Sequence, residues 1–236
     1  MKILMLHDCA YVGYELSREL TKLGVNVRHL LYHNKLGVNL KKGCNLMRMM
    51  FQAKTADCDL IHAHYLGVAS TIAYLTGKPY IVHAHGYDVR GRNLTVTQKK
   101  VLNNAEALIY ATPDMEPFVP KDSIYLPTPI GSQFKDLHKQ RTIKTAYRPV
   151  AYETPLNADL MLEGYTYEEM PQVLNTIETF IDRYSIDSLS KTALEALACG
   201  CNVKQNGYTV HGLPEQHQAE NVAKQLKSVY CDVLNA

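Results

Sequence analysis

Between Lys2 and Leu126, apolar runs of strand length alternate with stretches of helical spacing, which leaves few architectures open. Lys2–Leu6 is a nearly continuous apolar run, as expected of a strand buried on both faces. From Val12, the residues Leu16, Leu20 and Leu23 fall on one helical face, and Gly24 is placed to end the helix. Val25–Leu30 alternates and reads as a second strand. Leu46, Met49, Met50 and Ala53 then form an i, i+3, i+4, i+7 stripe. Asp59–Ala63, Pro79–Ala84, Ala107–Ala111 and Ser123–Leu126 are further strands, with a helix over Val68–Leu75. Strand alternating with helix at this spacing predicts an α/β protein whose parallel sheet is covered on both faces.

Around Pro127, Pro129 and Gly131 the pattern breaks, and a polar, basic segment follows from Lys135 to Arg148. The break divides the chain into domains of residues 1–134 and 135–236. In the second, Ala158–Leu162 is apolar and Val173–Ile181 reads as helix running into strand. Ser190 can cap a helix whose buried face is Ala193, Leu194, Leu197 and Ala198, with Gly200 at its end. Val222, Leu226, Val229 and Val233 give the C-terminal segment an amphipathic helical pattern.

A length of 236 residues suits one large domain or two small ones. Lys plus Arg is 25 and Asp plus Glu 23, a net charge of +2, with no long run of one sign. Nucleic-acid binding is therefore not expected. The six cysteines form no CxxC pair, and Cys199-Gly200-Cys201 reads as structural. The apolar start meets His7-Asp8 too soon for a signal peptide, and no run is long enough to span a bilayer. A cytoplasmic protein with reduced thiols is the expectation. Lys41, Lys42, Arg48 and Lys54 lie on a Met-rich helical stretch that either touches a membrane surface peripherally or packs Leu46, Met49 and Met50 on the sheet.

Two His-x-His pairs, His62/His64 and His83/His85, lie where predicted strands run out, the edge at which open α/β sheets carry their sites. Residues i and i+2 of a strand share a face, so each pair presents two imidazoles together. With Asp88 nearby, a metal-dependent hydrolase is one reading. No further histidine or carboxylate spacing repeats a metal cage, so no metal is expected. Asp187 and Glu195 form a second constellation, Asp187 in the loop before a helix and Glu195 within it. Both can reach a helix N-terminus, where N–H groups and the dipole attract phosphate. Alternatively Asp187 is a solvated loop residue and Glu195 pairs with Lys191 at i−4.

Asp59-Leu60-Ile61-His62-Ala63-His64, then Gly77-Lys78-Pro79 through His85-Gly86-Tyr87-Asp88, resemble the N-terminal domain of GT-B glycosyltransferases of family 4. Asn104–Ala111, Tyr125–Phe134 and Asp187–Val203 resemble later motifs of that family, in the same order, with Asp187 replacing its first Glu. The resemblance implies two Rossmann-like lobes of parallel sheet with helices on both faces, here shortened and divergent in the second lobe. It also implies retaining, metal-independent transfer of a sugar from a nucleotide-diphosphate sugar to a hydroxyl acceptor, with no separate cofactor.

Carried over residue by residue, His85 and Asp187 are the catalytic candidates, facing and flanking the transferred sugar. Glu195 holds the ribose hydroxyls. Asp88 orders the His85 loop and Gly86 lets backbone approach the ligand. The helix from Ser190 supplies N–H groups to the diphosphate, and Lys191 supplies a charge. Gly13 is the one glycine where the family has a glycine-rich loop. The family's Arg and Lys for the donor diphosphate have no counterpart between Lys135 and Asn157. Arg141, Lys144 and Arg148 are basic but lie in no comparable pattern. A non-catalytic relative that binds a sugar nucleotide, or a partner subunit in a homodimer or hetero-complex, is the second reading.

Overall fold

A computed structural model describes residues 1–31, 39–149 and 156–235; the side chains of Lys41, Lys42 and Cys44 lie outside it. The chain divides into two units, Met1–Pro129 with Glu220–Ala236, and Ile130–Ala219.

Unit 1 contains β1 (Lys2–Leu6), α1 (Val12–Lys22), β2 (Asn26–Leu30), α2 (Asn39–Thr55), β3 (Leu60–His64), α3 (Val68–Thr76), β4 (Tyr80–Ala84), α4 (Val96–Asn103), β5 (Ala107–Tyr110) and β6 (Ile124–Tyr125). The strands form one sheet in the order β2-β1-β3-β4-β5-β6, every pair parallel. Alternation along β1 sends Ile3 and Met5 to one core and Leu4 and Leu6 to the other. On the Leu4 face pack Met49 and Ala53 of α2 and Ile72 and Ala73 of α3. Met50 is exposed, as are Met47 and Phe51. The buried arc of α2 is thus narrower than the expected stripe, and Met50 stands at its edge.

The Ile3 face is covered by Leu16 and Leu20 of α1 and by the C-terminal helix, labelled α7 (Ala219–Asn235), through Val222, Ala223, Leu226 and Tyr230.

Unit 2 contains β7 (Ile143–Tyr147), β8 (Leu160–Met161), α5 (Met170–Leu174), β9 (Ile177–Ile181), α6 (Lys191–Ala198), β10 (Asn202–Gln205) and β11 (Tyr208–Val210). Its sheet runs β11-β10-β9-β7-β8. All pairs are parallel except β10–β11. That antiparallel pair is joined by Asn206-Gly207, with φ 48° and 84°, the left-handed pair a two-residue type I′ hairpin requires. The core holds Phe134, Phe180, Leu194, Leu197 and Val203 together with Cys199 and Cys201. Burial pushes the two thiols up to about 12 and about 11, so both are inert structural groups. Arg141 stitches this core from its edge, donating to Ile177 O at 2.6 Å and Cys199 O at 2.8 Å.

This division differs from the expected 1–134 and 135–236. Ile130 and Phe134 already belong to the unit 2 core, and the apolar face of α7 is buried on the unit 1 sheet. No helix among the described residues is long and apolar enough to cross a membrane.

Candidate functional site

In unit 1 the two His-x-His pairs meet. His62 and His64 end β3, while His83 lies on β4 opposite His64 and His85 follows it. His62 Nδ1 lies 2.6 Å from the Tyr230 hydroxyl of α7, and its Nε2 lies 3.1 Å from His83 Nδ1. His64 Nδ1 lies 2.9 Å from His85 Nε2. The rings stack, with centroids 4.6 Å apart for His62/His64 and 4.3 Å for His83/His85. Burial lowers the imidazole pKa of His62 to about 3, and it holds His64, His83 and His85 well below their usual value. All four rings are therefore neutral at pH 7.

His29 of β2 joins the same face, because Met5 of β1 pairs with both His29 and His62. A side chain at Gly13 would put its Cβ 2.8 Å from His29 Nε2 and 3.0 Å from His64 Nε2, so glycine lets these rings pack against α1.

The loops around this array are built from carboxylates. Asp88 is buried and accepts from the backbone N–H of His85 at 3.0 Å, Gly86 at 2.9 Å and Leu66 at 2.8 Å. It therefore orders the His85 loop. Gly86 takes φ 115°, and the guanidinium of Arg90 lies where its Cβ would be. That guanidinium pairs with Asp114 at 2.5 Å. Before α1, His7, Ala10 and Tyr11 are all left-handed, with φ 68°, 48° and 64°. Residues that pay for this conformation stand where the resemblance implies glycines. Asp8 holds the loop by accepting from Gly13 N at 2.7 Å and Tyr14 N at 3.1 Å, which also caps the helix.

In unit 2 the polar centre is the start of α6. Ser190 is the N-cap, its hydroxyl accepting from Ala193 N at 3.1 Å, and its own N–H donates to Asp182 at 2.7 Å. Burial raises the Asp182 carboxyl pKa, an effect opposed by that N–H. Lys191 pairs with Glu195 at 2.6 Å one turn on, both side chains nearly buried at 12% and 5% exposure. The ammonium also donates to Tyr167 at 3.1 Å and stands 4.6 Å from that ring and 5.9 Å from the Phe134 ring. Arg148, directly after β7, donates to Thr192 on the first turn of α6 at 3.0 Å. Asp187 is exposed and makes no hydrogen bond or ion pair among the described residues.

The structure thus joins Ser190, Lys191 and Glu195 in one place and His85, Gly86 and Asp88 in another, and leaves Asp187 apart. Sequence reasoning missed Tyr230, Asp182, Tyr167 and the placement of Arg148. His29 had a usable signal, since it lies on the second strand at the level of His62.

Three solved structures share this architecture along nearly the whole chain. Sucrose-phosphate synthase from Thermosynechococcus elongatus matches at 12% identity and a TM-score of 0.63, over 99% of this chain and 90% of that one. AviGT4, a glycosyltransferase involved in avilamycin A biosynthesis, matches at 13% identity and a TM-score of 0.70, over 100% and 98%. UDP-GlcNAc 2-epimerase from Neisseria meningitidis, solved bound to UDP-GlcNAc, matches at 10% and 0.59, over 98% and 100%. The chain has the GT-B fold. No protein-family model matches it, and no curated protein does. In open α/β sheets ligands bind outside the carboxyl ends of the strands. His85 holds that position on β4 and Arg148 on β7.

Proposed function

We propose that this GT-B chain binds a nucleotide-diphosphate sugar at the start of α6 and transfers the sugar to a hydroxyl acceptor, with retention and without a catalytic metal. The observation that carries the reading is the buried Lys191–Glu195 pair on the first turns of α6, flanked by Arg148 on Thr192. A helix N-terminus offers N–H groups and a positive dipole end to a diphosphate. Lys191 and Arg148 add two cations there, so Arg148 supplies a charge that its sequence context did not reveal. Lys191 anchors Glu195, whose carboxylate accepts from the ribose hydroxyls in this reading.

In a metal-free transfer the leaving diphosphate is stabilised by such fixed donors, each worth about 2.7–4 kcal/mol if it resembles an oxyanion-hole donor. His85, which the resemblance places beside the transferred sugar, is a neutral imidazole whose Nε2 lies 2.9 Å from His64 Nδ1. Asp187, solvent-exposed and without a polar partner among the described residues, is the least supported of the roles implied by the resemblance.

The test is calorimetric titration of UDP, GDP, ADP and TDP and their sugar conjugates against wild type and Glu195→Ala. Saturable binding of one nucleotide, weakened at least tenfold by Glu195→Ala, is the expected result. Absence of binding by every nucleotide at millimolar concentration overturns the reading in favour of a partner-binding relative.

A further inference from the structure

His62, His64 and His83 each bring one ring nitrogen within 4.8 Å of the other two. All three residues are enclosed, at 0%, 0% and 1% exposure. The Nε2 atoms of His64 and His83 have no hydrogen-bond partner among the described residues, although it is the Nδ1 of His83 that faces His62 Nε2. Buried polar atoms are rarely left so, and each one calls for an explanation such as an ion or a water.

The engaged nitrogens are equally informative. His62 Nδ1 is held by the Tyr230 hydroxyl at 2.6 Å and His64 Nδ1 by His85 at 2.9 Å. Metal-ligating histidines characteristically spend their second nitrogen on an outer hydrogen bond that orients the ring. Here two histidines of one strand face do so together, which leaves Nε2 of each as the ligating atom. The third ring comes from the neighbouring strand, with His62 Nε2 and His83 Nδ1 3.1 Å apart. Two nitrogens at about 2.0–2.1 Å from a tetrahedral zinc stand about 3.3 Å apart.

We propose that His62, His64 and His83 form a structural site for a late first-row divalent cation, zinc foremost. An all-imidazole set suits zinc, copper, nickel or iron and disfavours magnesium and calcium, which take oxygen ligands. Zinc accepts a tetrahedral arrangement without electronic penalty, with water in the fourth position. The enclosure of all three rings makes the ion a clasp rather than a catalyst. Through Tyr230 it ties β3, β4 and α7 together, and it is independent of glycosyl transfer.

Untagged protein is unfolded with chelator and refolded without metal, with Zn2+, or with Co2+ as a spectroscopic probe. The expected result is one Co2+ per chain, visible absorption of a nitrogen-ligated tetrahedral site, its displacement by Zn2+, and a higher Tm in the zinc form. Tyr230→Phe keeps the ring but removes the outer hydrogen bond, and is expected to weaken metal binding by about 10–100-fold. His138→Gln, at a side chain 89% exposed, is expected to leave it unchanged. The proposal is overturned if refolded wild type, native by circular dichroism, takes up neither ion and shows the same Tm with zinc and with chelator. It is equally overturned if folded His64→Gln and His83→Gln variants bind as wild type does.

Discussion

At the carboxyl edge of the unit 1 sheet, three buried imidazoles and the half-buried His85 carry no charge, whereas at the start of α6 in unit 2 an ammonium and a carboxylate share a 2.6 Å ion pair. Both places are nearly dry, so the difference lies in the partners. Among the described residues the imidazoles meet each other, His29, the phenols of Tyr230 and Tyr65 and apolar neighbours, and desolvation removes their charge. Lys191 and Glu195 lie one turn apart on a helix, where each offers the other an opposite charge. Burial alone therefore does not set protonation; what else is buried alongside does.

The largest effect expected from this contrast is acid lability confined to unit 1. The folded imidazoles have pKa values below the unfolded value near 6.5. Under acid the unfolded state therefore binds protons that the folded state refuses. Their contribution is complete above about pH 6.5 and is lost as pH falls, by up to about 1.4 kcal/mol per pH unit for each imidazole. Asp182 of unit 2 has the opposite sign: its raised pKa favours the folded state at low pH and that contribution is lost as pH rises. Segment-resolved amide exchange between about pH 7 and pH 4.5 should show β3, β4 and α7 opening before α6 and β9. Simultaneous opening of both units would break the comparison.

Next in size is Tyr230→Ala, which empties a fully buried site between α7 and the unit 1 sheet. A loss of about 3–5 kcal/mol is expected in denaturant unfolding, by analogy with other aromatic truncations. Tyr230→Phe, which removes only the bond to His62, should cost about 0.5–1.5 kcal/mol. Gly13→Ala drives a methyl against His29 and His64, rings that are themselves confined, and should cost about 1–3 kcal/mol. The smallest change is Gly207→Ala in the unit 2 hairpin, at φ 84°, which should cost about 1 kcal/mol. Tm shifts of these variants rank them, and Gly13→Ala falling below Gly207→Ala would contradict the close packing of the imidazoles on α1.

The two units also differ in how far the sequence disclosed them. The central strands of unit 1 are buried on both faces, so β1, β3 and β4 stand out as apolar runs. In unit 2, β7 is Ile-Lys-Thr-Ala-Tyr, with only Ala146 and Tyr147 fully buried, and it hides in a basic segment. β8 and β11 have two and three residues, too few for any period to register, although Asn206-Gly207 marks the hairpin between β10 and β11. The candidate site divides along the same line. His-x-His on a strand and Lys191 with Glu195 on a helix follow from periods of 2 and 3.6, so both were legible. Tyr230 against His62, 168 residues apart, and Arg148 against Thr192, 44 apart, are tertiary meetings that no local pattern announces. The glycine-poor turn before α1 carries a related lesson. Ala10 and Tyr11 adopt left-handed backbone without glycine because Asp8 holds the turn from its helix side.

We propose that the sugar nucleotide binds at the start of α6 in unit 2. Hydrogen exchange with and without the tightest-binding nucleotide diphosphate tests it most directly. Slowed exchange of the amides at residues 190–195, absent in Glu195→Ala, is the expected result. Saturable nucleotide binding that leaves those amides unprotected would contradict it.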